Sequence, residues 1–236
     1  MKITKKLSES GKSHSEVKIA FLGDSVTQGC FEIFKSRNGN ISVVFDEEHS
    51  YPRYVFNVLK TLFPDASVKI INAGLSGNQA PKGLERVESD VISHSPDLTV
   101  VCYGLNDCKN HDAGRYAEAL RGIFKALKNA GGEIIFMTPN MMNTHTSPLV
   151  TDPDFIKIAE ECADNQNGGF FDAYLDAARE LCREMSIPVC DCYAIWKNLY
   201  ENGVNTTELL SNKINHPTRE MNAIFAYELV RTMLGG

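Results

Sequence analysis

The chain has 236 residues and a formal net charge of −6 at pH 7, and 43% of its residues are hydrophobic. This length allows one large domain or two small ones, and the composition is that of an ordinary globular protein. The acidic balance argues against nucleic acid or an anionic membrane as a partner, because both usually require a basic surface.

Seven cysteines are present, an odd number, and several lie in apolar runs typical of a core. They predict free buried thiols in a reducing compartment rather than a disulfide framework. Two of them are predicted to share one side of a strand, but no Cys or His cluster elsewhere completes a metal site. The seven are Cys30, Cys102, Cys108, Cys162, Cys182, Cys190 and Cys192.

The amino-terminal segment is basic and then polar, without the apolar stretch of a signal peptide. No run in the chain has the length of a membrane span. We therefore expect a cytoplasmic protein with a loose leader over residues 1–15 and a single domain over residues 16–236.

The first element in chain order is a buried strand predicted over residues 17–22. Gly23 allows a sharp turn where this strand ends. Ser25 then lies just past the carboxyl end of the strand, where an open α/β sheet places its ligands. A small hairpin can follow around Asn38-Gly39.

Strands and helices then alternate regularly, without a linker, a repeat or a low-complexity tract. This order predicts one α/β domain with about five parallel strands and helices on both faces, which makes three layers. The later strands are predicted over residues 68–72, 98–103, 133–138 and 187–192, and the main helices over 50–63, 81–93, 113–130, 170–185 and from after residue 217 to about 234.

Two further segments have less definite patterns. A short helix is predicted around Trp196, and residues 139–154 form a long polar loop that carries Met141, Met142 and His145. These three side chains either line an acyl or sugar pocket or belong to an ordinary flexible loop.

Three of the predicted strands end in loops of glycine and small polar residues. Because the carboxyl ends of parallel strands share one edge of a sheet, these loops can converge. His216 precedes the last helix, which can pack beside the first strand and direct the imidazole at Ser25. A serine, a histidine and nearby N–H donors suit acyl transfer. The loops are Gly23-Asp24-Ser25, Gly74-Leu75-Ser76-Gly77-Asn78 and Gly104-Leu105-Asn106-Asp107.

Each of these motifs alone has an ordinary structural explanation. Gly-Asp-Ser is a common turn sequence, and a histidine before Pro217 is typical of a helix start. The occurrence of all of them in order, each after its predicted strand, favours an enzyme.

The four segments resemble the blocks of the GDSL/SGNH hydrolase family, and the resemblance extends over about residues 17–234. It implies a flavodoxin-like three-layer α/β/α fold and hydrolysis of esters or thioesters without a metal or cofactor. The four blocks are Gly23-Asp24-Ser25, Asn72-Ala73-Gly74-Leu75-Ser76-Gly77, Gly104-Leu105-Asn106-Asp107 and His216-Pro217.

The resemblance also implies residue roles. Ser25 would be the nucleophile and His216 the general base. The oxyanion hole would consist of the backbone N–H groups of Ser25 and Gly77 and the side-chain amide of Asn106. Asp24 would be a local hydrogen-bonding residue rather than an acid catalyst.

The histidine block departs from the family pattern, which places an aspartate three residues before the histidine. Lys213 occupies that position, and Asn212 occupies it if Asn215 is an insertion. Loss of the orienting carboxylate costs up to ~10⁴ in kcat in another triad enzyme. A backbone carbonyl of the 211–213 turn, a distant acid such as Glu208, or loss of activity are the three explanations, and we favour the Ser–His dyad with the carbonyl.

The sequence thus predicts a serine esterase that acts on a small-molecule ester, with an acetyl group on a sugar as the preferred substrate. Two alternatives remain. One is a catalytically impaired domain that binds a sugar or acyl ligand, which the missing acid suggests. The other is a nucleotide- or flavin-binding flavodoxin-like module.

Overall fold

The computed structural model describes residues 1–13 and 15–235. Its centre is a five-stranded parallel sheet. Among these five strands in chain order, the first lies between the second and the third. This is the flavodoxin-like strand order, and it confirms the predicted fold class. The sheet order is β4 (Val68–Gly74), β1 (Val17–Gly23), β5 (Leu98–Cys102), β6 (Glu133–Met137) and β7 (Val189–Cys190), and a separate antiparallel hairpin consists of β2 (Cys30–Lys35) and β3 (Ile41–Phe45).

Helices alternate with the strands of the sheet along the chain, as predicted. The helix at residues 113–130 has the predicted bounds. The described residues form α1 (Lys2–Ser13), α2 (Ser25–Gln28), α3 (Tyr51–Leu62), α4 (Ala80–Asp90), α5 (Ala113–Ala130), α6 (Pro153–Asn167), α7 (Phe170–Glu184), α8 (Cys192–Glu201) and α9 (Arg219–Met233).

Two groups of helices cover the sheet. On one face α3 packs against α9, where the rings of Tyr51 and Phe225 meet edge to face at 6.2 Å. The connections through α4, α5 and α7 join parallel strands, and right-handed crossovers place all three on the other face. There α5 contacts both neighbours, with Tyr116 and Tyr174 joining it to α7. This sandwich leaves the loops at the carboxyl ends of the strands free to carry a site.

The central strand β1 is buried along nearly its whole length because β4 and β5 flank it and helices cover both faces. Such a strand is a continuous apolar run rather than an alternating one, which is why residues 17–22 could be recognised from sequence. The hairpin expected around Asn38-Gly39 is confirmed as β2 and β3.

The prediction of a loose leader over residues 1–15 is wrong for most of that segment, because residues 2–13 form the helix α1. Ile3 and Leu7, four residues apart, are buried against the sheet. The carboxylate of Glu133 accepts hydrogen bonds from the backbone N–H groups of Lys2 and Ile3. These contacts attach α1 to the amino-terminal edge of the sheet.

The predicted fifth strand is also shorter than expected. The carboxylate of Asp191 accepts a hydrogen bond from the backbone N–H of Ala194 and starts α8, so Cys192 is helical rather than extended. The sulfurs of Cys190 and Cys192 still lie 3.6 Å apart. All seven cysteines are free and buried, as predicted.

The segment between β6 and α6 has no regular structure, as expected, but its apolar side chains are not on the surface. Met141 and Met142 are buried in the core. Asn143 is buried too and donates to the carbonyl of Ala159 in α6. The two methionines therefore belong to the core and not to a flexible loop. Over residues 1–13 and 15–235, no helix combines the length and apolar character needed to cross a membrane.

Candidate active site

Ser25 is the first residue of α2, directly beyond the carboxyl end of β1. The carboxylate of Asp24 accepts a hydrogen bond from the backbone N–H of Val26 at 3.0 Å and so caps this short helix. A Cβ at Gly23 would lie 2.1 Å from Oγ1 of Thr27, so only glycine allows the helix to fold back this closely. The sharp turn places the Ser25 hydroxyl at the sheet edge.

His216 lies beside this serine, 191 residues later in the chain. The distance from Ser25 Oγ to His216 Nε2 is 2.9 Å, and both side chains are almost fully buried. The loop before His216 is organised by the side chain of Asn212. Its Oδ1 accepts the backbone N–H groups of Ile214, Asn215 and His216 at 2.9–3.0 Å.

The second imidazole nitrogen has a backbone partner. His216 Nδ1 lies 2.7 Å from the carbonyl oxygen of Phe31, in β2. Because a carbonyl can only accept a hydrogen bond, Nδ1 carries the proton. Nε2 is then unprotonated and accepts the hydrogen bond from the Ser25 hydroxyl. The hairpin therefore selects the tautomer that general-base chemistry requires.

The carbonyl that accepts from His216 was expected in the 211–213 turn, and that detail is wrong. Phe31 supplies the carbonyl because the hairpin follows α2 directly and runs past His216. The other candidates point elsewhere: Lys213 Nζ lies 3.0 Å from the carboxylate of Glu208, and Asn212 bonds the backbone. Sequence analysis missed Phe31, since every residue offers a carbonyl and nothing marks this one.

The third loop brings the Asn106 amide to the same edge. Its Nδ2 donates to the backbone carbonyl of Asn78 at 3.2 Å and lies 3.5 Å from the Asp24 carboxylate. Gly77 precedes Asn78 and has a left-handed backbone with φ of 72°, a conformation that favours glycine. The three loops thus meet around Ser25, and the oxyanion roles of Ser25, Gly77 and Asn106 remain predictions.

Burial changes the protonation of the groups at this edge. Desolvation lowers the pKa of His216 to about 4, so the imidazole is neutral at pH 7. Desolvation also raises the pKa of Asp24 to about 7 and that of Asp107 to about 6. Asp107 accepts the backbone N–H of Ala80 and so caps α4.

The described part of the chain, which excludes residues 14 and 236, contains no group of three or more His, Cys, Asp or Glu side chains that could hold a metal ion.

Comparisons with known proteins identify a family for this chain. The model of the GDSL-like Lipase/Acylhydrolase family matches residues 21–224, which include the serine and histidine of the site. An acetylxylan esterase from Geobacillus stearothermophilus is 26% identical over 174 residues, covering 68% of this chain and 78% of that protein.

Solved structures show the same fold. A lipase/acylhydrolase from Enterococcus faecalis superimposes with a TM-score of 0.69 at 20% identity, covering 93% of this chain and 96% of that one. A two-domain esterase active on acetylated mannans superimposes with a TM-score of 0.68 at 19% identity. That match covers 99% of this chain but only 53% of the two-domain esterase, so this chain spans about half its length.

Proposed function

The chain belongs to the GDSL-like lipase/acylhydrolase family of carboxylic ester hydrolases, and we propose that it removes acetyl groups from a small acetylated carbohydrate. The observation that carries the proposal is the 2.9 Å contact between Ser25 Oγ and the unprotonated Nε2 of His216. The carbohydrate acetyl ester is inferred from relatives that act on acetylated xylan and mannan.

The reaction begins when Ser25 Oγ attacks the acetyl carbonyl and His216 Nε2 takes the hydroxyl proton. The developing oxyanion accepts hydrogen bonds from the N–H groups of Ser25 and Gly77 and from the Asn106 amide. The bond from the acetyl carbon to the sugar oxygen then breaks, His216 gives its proton to that oxygen, and the sugar leaves as an alcohol with Ser25 acetylated. Water attacks this ester with His216 again as the base, and acetate is released.

The Phe31 carbonyl performs part of the work of the absent aspartate. In another triad enzyme, replacing the aspartate by asparagine leaves the histidine in the wrong tautomer and costs ~10⁴ in kcat. Here the carbonyl holds the correct tautomer, so that loss is avoided. A carbonyl dipole stabilises the imidazolium less than a full negative charge, and we therefore propose a working but slower dyad.

A short acyl group is supported by the segment between β6 and α6. Met141 and Met142 have 1% and 0% of their surface exposed, so their side chains do not line a surface groove for a long acyl chain. We accordingly propose acetyl esters ahead of long-chain esters.

The test compares wild type with Ser25→Ala on p-nitrophenyl acetate, butyrate and octanoate and on peracetylated xylobiose. Wild type should prefer acetate and release acetate from the sugar. Ser25→Ala should lose about 10³-fold or more in kcat, as other nucleophile deletions do. A fluorophosphonate should add one adduct by mass to wild type and none to Ser25→Ala.

Ser8→Ala is the matched control, because Ser8 is an exposed serine of α1 whose hydroxyl donates to the carbonyl of Thr4 in the same helix. It should retain wild-type turnover and the adduct. Turnover retained by Ser25→Ala would remove Ser25 from the mechanism. A preference for octanoate would contradict the acetyl assignment, and binding of the sugar without turnover or adduct would favour an impaired domain.

A further inference from the structure

A largely buried arginine lies behind the three loops that carry the proposed oxyanion donors. The side chain of Arg86, in α4, is only 14% exposed. Its Nη2 donates to the carbonyl of Gly23 at 3.0 Å, two residues before Ser25. Its Nε donates to Oδ1 of Asn78 at 3.2 Å, one residue after Gly77. One guanidinium thus ties the loop after β1 to the loop after β4.

A tyrosine connects the third loop to the same centre. The hydroxyl of Tyr103, directly after β5, accepts from Arg86 Nη2 at 3.0 Å and donates to Asn78 Oδ1 at 2.9 Å. Tyr103 is fully buried under α4. A Cβ at Gly83 would lie 2.5 Å from the tyrosine hydroxyl. Glycine at this position therefore leaves room for Tyr103 to pack against α4.

The network ends on the amide that is proposed to bind the oxyanion. The side-chain oxygen of Asn78 accepts hydrogen bonds from Arg86 and Tyr103. Its backbone carbonyl accepts the hydrogen bond from Asn106 Nδ2. Displacing Asn78 therefore displaces the Asn106 amide and the neighbouring Gly77 N–H together.

We propose that Arg86 is a positioning residue, which, with Tyr103 and Asn78, holds the oxyanion donors in their catalytic arrangement. The proposal rests on the proposed roles of Ser25, Gly77 and Asn106. A guanidinium suits this function because it is planar, always charged and offers five N–H donors in a fixed geometry. The donors must be preorganised where negative charge develops, since they stabilise the transition state more than the bound ester.

The expected signature is a loss of kcat without a matching change in KM. Arg86→Met should lower kcat on p-nitrophenyl acetate at least tenfold and at most by the about 10²–10³-fold that losing one oxyanion donor costs. KM should stay within about twofold, because the ester in its ground state gains little from these donors. Arg86→Lys should recover only part of the loss, since an ammonium cannot reproduce the forked geometry.

A double-mutant cycle separates positioning from a general structural effect. In an Asn106→Ala background the principal donor that Arg86 holds is already absent, so Arg86→Met should cost about threefold or less. An equal factor in both backgrounds would overturn the proposal, as would unchanged kcat in Arg86→Met. Tyr103→Phe, which removes only a hydroxyl, should lower kcat in the same direction and keeps the test available if Arg86→Met does not fold.

The control is Arg121→Met, because Arg121 lies on α5 and pairs with Glu184 at the end of α7. It should keep wild-type kcat, and the thermal unfolding midpoint of each variant shows whether it is folded. Wild-type turnover that depends on Ser25 but not on Arg86 would overturn this inference alone. Absence of any Ser25-dependent turnover or fluorophosphonate adduct in wild type would overturn the proposed function and this inference together.

Discussion

The histidine of the site has a backbone carbonyl where related enzymes are expected to have a carboxylate. The carbonyl of Phe31 fixes the imidazole tautomer at 2.7 Å without adding a charge beside it. Burial then favours the neutral ring, and the pKa of His216 falls to about 4. A triad aspartate would raise that pKa more than the Phe31 carbonyl does, and here desolvation outweighs the hydrogen bond to the carbonyl.

This leads to a prediction about the pH dependence of hydrolysis. The base form of His216 exists above its pKa, so kcat/KM should fall only as the pH drops through about 4. An ordinary histidine would lose half of the rate at about pH 6.5. The measurement is kcat/KM for p-nitrophenyl acetate from pH 3.5 to 9, with folding checked at each pH by circular dichroism.

A second inflection near neutrality would belong to Asp24 or Asp107, whose pKa values lie at about 7 and about 6. The Asp24→Asn and Asp107→Asn variants assign it, because each change removes one of these ionisations and leaves the acid limb of His216 in place. An acid limb centred near pH 6.5 in wild type and in both variants would show that burial does not depress the pKa of His216.

At the scale of elements, the sheet has a functional edge and a structural edge. The loops after β1, β4 and β5 carry the site, while α1 is attached where β6 begins and beside the loop that enters β5. Lys6 of α1 pairs with Asp97, just before β5. The helix at the amino terminus therefore stabilises the sheet from the end opposite the chemistry.

Truncating Leu7, a buried side chain of α1, should accordingly change the stability of the protein but not its catalysis. Leu7 is 1% exposed, and Leu7→Ala should lower the free energy of unfolding by about 2–5 kcal/mol, since it leaves a cavity. Chemical denaturation measures that loss, and kcat at 25 °C should match wild type. The exposed Lys5→Ala is the control and should change neither quantity. Wild-type stability in Leu7→Ala would mean that α1 is not docked in solution.

On the scale of the whole molecule, the core encloses every thiol of the chain. All seven cysteines are free and buried, including the pair formed by Cys190 and Cys192. Desolvation raises the pKa of Cys30 to about 11 and that of Cys182 to about 12, so a reactive thiolate is rare at neutral pH.

The folded protein should therefore resist thiol reagents. An aromatic disulfide reagent at pH 8 should react slowly, at the rate at which the chain opens, and should leave esterase activity unchanged while the fold persists. In guanidinium chloride all seven thiols should react at once. Rapid modification of one thiol in the native protein would show that a buried cysteine is reachable.

Local signals allowed much of the fold and the main site residues to be predicted. A buried strand followed by a glycine turn is encoded by neighbours in the chain, so Ser25 and Asn106 could be assigned to a shared sheet edge. The helix at residues 113–130 could be bounded because its apolar face and terminal glycine are local too. The pattern of α1 was harder to see, since Ile3 and Leu7 stand among lysines.

The sequence by itself determined the fold class, the family and the serine–histidine pair, because each depends on residue types at short spacings. Only the tertiary structure decided that Phe31 holds the imidazole and that Arg86 joins the three loops. The physical reason is that the first contact uses a backbone carbonyl, which every residue carries, and the second joins Gly23, Asn78 and Tyr103, which only the packing of the three loops brings to one guanidinium. Burial of Met141 and Met142 was likewise settled by packing, since an irregular segment has no periodicity that shows which side chains face the core.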